Sequence, residues 1–202
     1  MGALEKFFHN LPEKTPPLIQ AALAHAQFES IHPFLDGNGR IGRLLVTLLF
    51  CHEEILREPL LYSSLYFKQH RTRYFDLLQQ VRTEGDWEAW LLFFVEGIRE
   101  MAEGAVATAR RLSTVADEDR QRIQSLGRLA GSALRVHQTM QEKPLGSIPW
   151  LVRETGLSVP TVTAVLKALQ GAGIVKEITG RKRNRLFSYE KYLDIMRQGT
   201  EA

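Results

Sequence analysis

The stretch His32-Pro33-Phe34-Leu35-Asp36-Gly37-Asn38-Gly39-Arg40-Ile41-Gly42-Arg43 gathers a titratable base, a carboxylate, an amide, three glycines and two arginines into twelve residues. Each type has a chemical use at this spacing. Gly37, Asn38 and Gly39 accept positive φ, so successive backbone N–H groups can turn inward and form an anion nest. An apolar run, Leu44 to Cys51, follows directly. It predicts a helix whose N-terminal N–H groups and positive dipole end face the same spot. Arg40 and Arg43 are three apart and share a face of the first turn. Their guanidinium forks match phosphate oxygens. Asp36 is a hard oxygen ligand suited to Mg²⁺, which accompanies polyphosphates. Histidine is the side chain that ordinarily titrates near neutrality, which makes His32 the natural general base. With Gly42, these residues read as a nucleotide-phosphate site that carries its own proton acceptor.

Other motif readings fail on context. Gly37-x-Gly39-x-x-Gly42 has the form of a dinucleotide fingerprint, but no strand pattern precedes it and no βαβ unit surrounds it. His52-Glu53-Glu54 lacks the second histidine of a zinc helix, since position 56 is Leu.

The elements that must position these residues are mostly helical. Apolar spacing predicts a helix over 18–31 with Pro16 and Pro17 at its start, and a buried central helix over 41–55. A further helix is predicted over 67–82. Asp86 is a candidate cap for a long one that runs through Trp87, Trp90, Leu91, Phe94 and Ile98 towards Leu129. Trp87, Trp90, Phe93 and Phe94 fall at core spacing. Tyr62, Tyr66 and Tyr74 read as packing residues, and Cys51 as a small hydrophobe. His9, His25, His70 and His137 read as structural or surface histidines.

Past residue 129 the character changes. A helix over 130–141 is followed by the breaker Lys143-Pro144-Leu145-Gly146. Ser147 can cap a short helix to Glu154, and Ser158 another to Gln170. Two strands, 174–178 and 185–189, flank Thr179-Gly180-Arg181-Lys182-Arg183-Asn184. This is the order of a winged helix-turn-helix.

Composition sets the outer limits. Of 202 residues 44% are hydrophobic and 24% charged, enough apolar surface for a folded chain of one medium domain or a core plus a small one. A lone cysteine excludes an intramolecular disulfide framework and fits a reducing compartment. No apolar run approaches the roughly 20 residues of a membrane span, and the start lacks a secretory signal, so the cytoplasm is the expected location. Residues 1–129 carry 15 Lys and Arg against 17 Asp and Glu, and residues 130–202 carry 11 against 6. The basic C-terminal third, with Arg181, Lys182, Arg183 and Arg185 at the wing, suits either DNA or a docking or dimerising protein surface. The second wing helix offers few Arg, Asn or Gln for base edges.

Residues 32–43 match every specified position of H-x-F-x-[DE]-G-N-G-R-x-x-R, and here the chain resembles the Fic (filamentation induced by cAMP) family. The flanks 21–29 and 44–49 are similar too. The resemblance implies a mainly α protein, with a Fic-type helical core over 1–128 and a small winged helix-turn-helix domain over 129–202. It implies transfer of AMP from ATP to a Ser, Thr or Tyr hydroxyl of a target protein. His32 would be the base and Asp36 the ligand for Mg²⁺. Asn38 would hold an α-phosphate oxygen, and the Gly37–Gly39 backbone and Arg40 the β-phosphate. Arg43 would hold the γ-phosphate, and Phe34 would be buried to fix the loop. A β-hairpin flap and an inhibitory [ST]-x-x-x-E-[GN] helix, both found in relatives, have no counterpart in the sequence. The chain is accordingly read as a fragment that begins after them. Two other readings stay open. One is a DNA-binding regulator with a nucleotide-sensing core. The other is a Fic enzyme with a different nucleotide or phosphoryl donor.

Overall fold

The structure, a computed structural model, describes residues 2–9, 15–57 and 63–198. The chain is mainly α. It divides into two compact units, residues 1–105 and 106–201.

In the first unit, helix α1 (Gly2–His9) precedes α2 (Pro17–Ile31) and α3 (Asn38–His52). Pro17 opens α2, where a missing N–H is harmless. The helix ends at His32, a left-handed residue (φ 48°, ψ 59°) whose N–H bonds Phe28 O at 3.0 Å. Gly37, at φ 83°, leads into α3. Then come α4 (Ser63–Gln69), α5 (Arg71–Thr83) and α6 (Trp87–Gln124). Asp86 caps α6 by accepting Ala89 N–H at 3.1 Å.

Small residues on α2 let its neighbours approach. Ala21, Ala22, Ala24 and Ala26 are all buried with Phe50, Trp90, Phe93 and Phe94. The Trp90 indole donates to Ala22 O at 2.9 Å, which satisfies its polar edge inside the core. Tyr66 and Tyr74 are buried as expected; Tyr62 lies outside the described residues.

Two expectations need correction here. The segment read as one helix over 67–82 is broken at His70 (φ −104°, ψ 32°), which separates α4 from α5. No glycine or proline marks the break; burial of Tyr66, Phe67 and Tyr74 against one core sets the bend. Helix α3 is not buried all round. Val46, Leu49 and Phe50 face the core, while Ile41, Leu44 and Leu48 form an exposed stripe at i, i+3 and i+7.

The C-terminal half of α6 belongs to the second unit, so the units divide inside that helix and not at residues 128 and 129. Val115 and Ile123 of α6 are buried there with residues of every later helix. A short 3₁₀ turn (Gly127–Leu129) leads to α7 (Ala130–Glu142), β1 (Leu145–Ser147), α8 (Ile148–Thr155) and α9 (Val159–Gly171). Strands β2 (Lys176–Glu177) and β3 (Leu186–Ser188) and helix α10 (Glu190–Gln198) complete it. Ser147 caps α8 through Trp150 N–H, and Ser158 caps α9 through Thr161 N–H. The sheet order is β1-β3-β2, antiparallel throughout, with Gly146 opposite Phe187 and Glu177 opposite Phe187 on the other edge. Strand β1 was not expected. Three residues centred on a glycine carry no alternating pattern, and only pairing with β3 makes them a strand.

A buried polar chain ties this unit together. The Tyr189 hydroxyl donates to Asp119 Oδ2 at 2.7 Å and lies 3.1 Å from His137 Nε2, whose Nδ1 lies 3.1 Å from Gln141 Nε2. With its hydrogen committed to Asp119, the hydroxyl accepts from His137 Nε2–H, and Nδ1 then accepts from Gln141. Burial lowers the His137 pKa, consistent with this neutral ring. Tyr189→Phe leaves Asp119 Oδ2 and His137 Nε2–H without that partner. Urea unfolding followed by Trp150 fluorescence is expected to show a loss of about 3 kcal/mol, since each buried unpaired polar group costs ~1–3 kcal/mol.

Candidate functional site

The C-terminus of α2, the loop 32–37 and the first turn of α3 build one surface. His32 is exposed at the end of α2, its imidazole placed there by the left-handed backbone. A non-glycine in that region is uncommon and strained, of order 1–3 kcal/mol. The loop is fastened by Asn38, whose Oδ1 accepts Phe34 N–H at 2.9 Å and whose Nδ2 donates to Phe34 O at 2.6 Å. The Asn38 side chain is therefore committed to the loop backbone. Phe34 is a correction: it is 46% exposed and touches Phe28 at a ring distance of 6.4 Å. The loop needs no buried phenyl anchor, because the Asn38 amide closes it onto α3.

No side chain caps α3. Its first turn therefore offers backbone N–H groups and the positive end of the dipole at the surface. Asp36 Oδ1 accepts Gly37 N–H at 2.6 Å, and Oδ2 lies 3.5 Å from Arg40 Nη2; both side chains are largely exposed.

The three glycines have a role beyond the nest. At each, a charged side chain occupies the space a Cβ would need. A Cβ on Gly37 would lie 3.3 Å from Arg40 Nη2, and one on Gly39 3.1 Å from Arg43 Nη1. One on Gly42 would lie 2.7 Å from Glu29 Oε1 and 3.1 Å from His25 Cε1. Two guanidinium groups thus lie close against the first turn of α3, and a carboxylate lies against Gly42.

That carboxylate belongs to a buried cluster. His25 is fully buried between Phe67 and Trp90, both stacked on it. Its Nε2 lies 2.9 Å from Tyr74 Oη, and its Nδ1, beside Gly42, has no hydrogen bond. Burial lowers its pKa to about 4, with the charge of Arg43 acting in the same direction. Glu29 is buried, and its Oε1 also has no hydrogen-bond partner. Burial raises its pKa, while His32, Arg43, Arg82 and the Tyr74 hydroxyl pull it back. The guanidinium of Arg82 donates to Glu29 O at 2.9 Å and to Ser30 Oγ at 3.2 Å, clamping the end of α2 to α5.

Residues 1–50 match the family model of the Fic/DOC family. The whole of 32–43 falls inside the match. Over 80 residues the chain is 40% identical to the protein adenylyltransferase Fic of Aedes aegypti and 36% identical to that of Drosophila erecta. Each alignment covers 40% of this chain, and the chain spans 15% of the length of either relative. A crystal structure of a Fic family protein from Desulfovibrio desulfuricans G20 aligns with 93% of this chain and 53% of its own, at a TM-score of 0.49 and 22% identity.

Within the matched segment the structure places His32, Asp36, Gly37, Asn38, Gly39, Arg40, Gly42 and Arg43 on the loop after α2 and the first turns of α3. Arg181, Lys182, Arg183 and Arg185 lie in the second unit, on the turn between β2 and β3. Among the described residues no group of three or more His, Cys, Asp or Glu could hold a metal ion alone. Asp36, one exposed carboxylate just before the start of α3, has the hard oxygen donors that would suit a Mg²⁺ held jointly with phosphates. A cavity of about 470 Å³ lined by Arg110, Arg111, Lys191 and Asp194 belongs to the second unit. No helix of the described residues is long and apolar enough to cross a membrane.

Sequence reasoning missed the buried cluster. It read His25 as a structural or surface histidine and Tyr74 as a packing residue, and assigned nothing to Glu29 or Arg82. The available signal was the single charged residue of an alanine-rich helix, four residues after His25.

The low value for His25 has a consequence for stability. The folded state holds His25 neutral down to about pH 4, whereas an unfolded histidine takes a proton near 6.5. Between those values the unfolded chain binds the extra proton, so stability falls as pH drops from about 6.5 to about 4 and then levels. The loss expected from this residue is about 3 kcal/mol. Urea unfolding between pH 7.5 and 4.5 is expected to show a shallower dependence in His25→Asn than in the wild type.

Proposed function

We propose that this chain carries the core of a protein adenylyltransferase, which moves AMP from ATP to a Ser, Thr or Tyr hydroxyl of a target protein. One observation carries the reading: an exposed histidine stands beside the uncapped, arginine-lined start of α3. A phosphate site alone has no use for a base, and a base alone has no use for two guanidinium groups seated on a helix N-terminus. The matching segment of relatives named protein adenylyltransferase Fic supports the same chemistry.

In this reading the triphosphate lies over the first turn of α3. Its charge is met by free N–H groups, Arg40 and Arg43. His32 takes the proton of the target hydroxyl. The hydroxyl oxygen forms a bond to the α-phosphorus, the bond from that phosphorus to the bridging oxygen breaks, and pyrophosphate leaves. Asp36 would share the Mg²⁺, which supplies charge neutralisation on the phosphates when bound. Asn38 holds the loop backbone so that the Gly37–Gly39 amides keep their direction. Positioning and charge stabilisation are most of what such transfers need. A pure nucleotide sensor would leave His32 without a task; a different nucleotide or phosphoryl donor is separated by which labelled nucleotide reacts.

The test is incubation with α-³²P-ATP and Mg²⁺, alone and with lysate, followed by a denaturing gel. Label on a protein is expected with the wild type. His32→Ala is expected to lower transfer by about 10²–10⁴-fold while ATP binding persists. Full transfer by His32→Ala would remove His32 as the base.

For the second unit we propose a winged helix-turn-helix whose wing contacts the DNA backbone. The turn between β2 and β3 is held by Glu177, which accepts Thr179 N–H at 2.9 Å, Gly180 N–H at 3.1 Å and the Thr179 hydroxyl. Those bonds, the Thr179 hydroxyl first, lower the Glu177 pKa. Arg181, Lys182 and Arg183 are exposed beyond it, and Arg185 lies over the Phe187 ring. The exposed face of α9 offers Val159, Pro160, Ala164 and Lys167, so affinity is expected without strong sequence preference. Binding of a duplex at several salt concentrations is expected to weaken in Arg181→Ala with Arg183→Ala, and its log–log salt slope to fall by about 2. An unchanged slope would assign the wing to protein docking or dimerisation.

A further inference from the structure

The cavity between α6 and α10 in the second unit has no part in the readings given so far. We propose that it is a binding site for a small monocarboxylate with an apolar body, the carboxylate held by Arg110 and Arg111 and the body laid over Val115 and Ile195. Such binding does not depend on the transfer reading or on the wing.

Two exposed contacts set how the helices meet. Arg111 Nη2 donates to Gln198 Oε1 at 2.8 Å, and Lys191 Nζ lies 3.1 Å from Glu118 Oε2. The numbering rises on one helix as it falls on the other, so α6 and α10 run antiparallel. The contacts are seven residues apart along each helix, about 10 Å at ~1.5 Å per residue. Thr114, Val115, Asp194 and Ile195 line the space between them. The polar pair does not close it. The Thr114 hydroxyl bonds back to Arg110 O at 3.0 Å, and Asp194 takes no hydrogen bond or ion pair among the described residues. A cleft of about 470 Å³ results, within the ~300–1,000 Å³ of small-molecule sites. A side-chain contact stands at each end, so an extended peptide cannot run along it.

The lining selects the ligand. Val115 and Ile195 are its buried members and give it an apolar floor. The methylene stems of Arg110, Arg111 and Lys191 add apolar surface at the walls. The charges do not cancel. Lys191 is answered by Glu118, which leaves two guanidinium groups against Asp194. Arg111 is engaged by a neutral amide, and the Arg110 guanidinium has no partner among the described residues. The excess is a single positive charge, which suits a monoanion better than a dianion. A planar carboxylate matches the guanidinium fork. Asp194 repels an anion from the α10 side, which sets the carboxylate on α6 and leaves Ile195 for the apolar body.

The probe is octanoate, titrated into the full 202-residue chain and followed by ¹H–¹⁵N NMR. Saturable shifts are expected at Thr114, Val115, Asp194 and Ile195, with a Kd of about 1 mM or below. Acetate lacks the body, octanol lacks the charge and octylammonium reverses it; each is expected to bind about tenfold more weakly or worse. Arg110→Gln is expected to weaken octanoate about fivefold, and Asp194→Asn to tighten it about twofold. Thr114→Trp fills the cleft from an exposed position and is expected to abolish the saturable shifts. All three positions are exposed, and the rest of each spectrum reports whether the variant folds. Octanol binding as tightly as octanoate would overturn the proposal, as would an unchanged Kd in Arg110→Gln. Shifts gathered instead on Ile41, Leu44 and Leu48, the exposed apolar stripe of α3, or shifts that never saturate, would also overturn it.

Discussion

The contact on which the site depends is the packing of α2 against α3 at Gly42. With a side chain there, the Glu29 carboxylate would have to shift and the fully buried His25 ring to give way. The absent Cβ lets the first turn of α3 settle onto the last turns of α2. The loop between them is then only six residues long and must turn sharply. His32 absorbs the turn at one end and Gly37 at the other, both at positive φ. The close approach, the strained histidine and the surface-facing N-terminus of α3 are consequences of one another.

The same packing arranges charge in layers. Arg40 and Arg43 lie on the outside of the first turn, against Gly37 and Gly39, where they reinforce the positive end of the helix dipole. Left alone, that concentration of positive charge would be unfavourable. Asp36 answers it from the surface, where water and salt screen the attraction. Glu29 answers it from the interior, where they do not. An anionic ligand can displace the weak Asp36–Arg40 contact at 3.5 Å, but it cannot reach Glu29. The surface carboxylate is exchangeable and the buried one is permanent.

The parts that were legible in the sequence are those fixed by local chemistry. Pro17, Asp86, Ser147 and Ser158 start helices where their side chains or rings require it. The twelve-residue motif falls on a helix end, a loop and a helix start as its glycines demand. Misreadings arose where tertiary contacts decide. The bend at His70 is set by three aromatic residues seeking one core. Strand β1 exists because β3 has a free edge. The exposed stripe of α3 looks like core by periodicity alone. The pairing of Glu29 with the ring of His25 beneath Gly42 was missed because a helix pattern shows which side a residue is on, and not which partner waits there.

Phe34 and Asn38 show how far a local reading can go wrong without harm to the site. A phenylalanine in a short loop beside an apolar helix is expected to anchor the loop by burial. Here the ring stays half in water, and the anchoring passes to the neighbouring amide, which makes two hydrogen bonds to the Phe34 backbone. Apolar burial is non-directional and would tolerate several loop conformations. Two short hydrogen bonds from one buried planar amide fix both the N–H and the C=O of residue 34. They thereby fix the direction of the chain into Asp36 and Gly37. A loop held in this way needs little rearrangement on binding, so less of the attraction between its amides and an anion is lost to ordering.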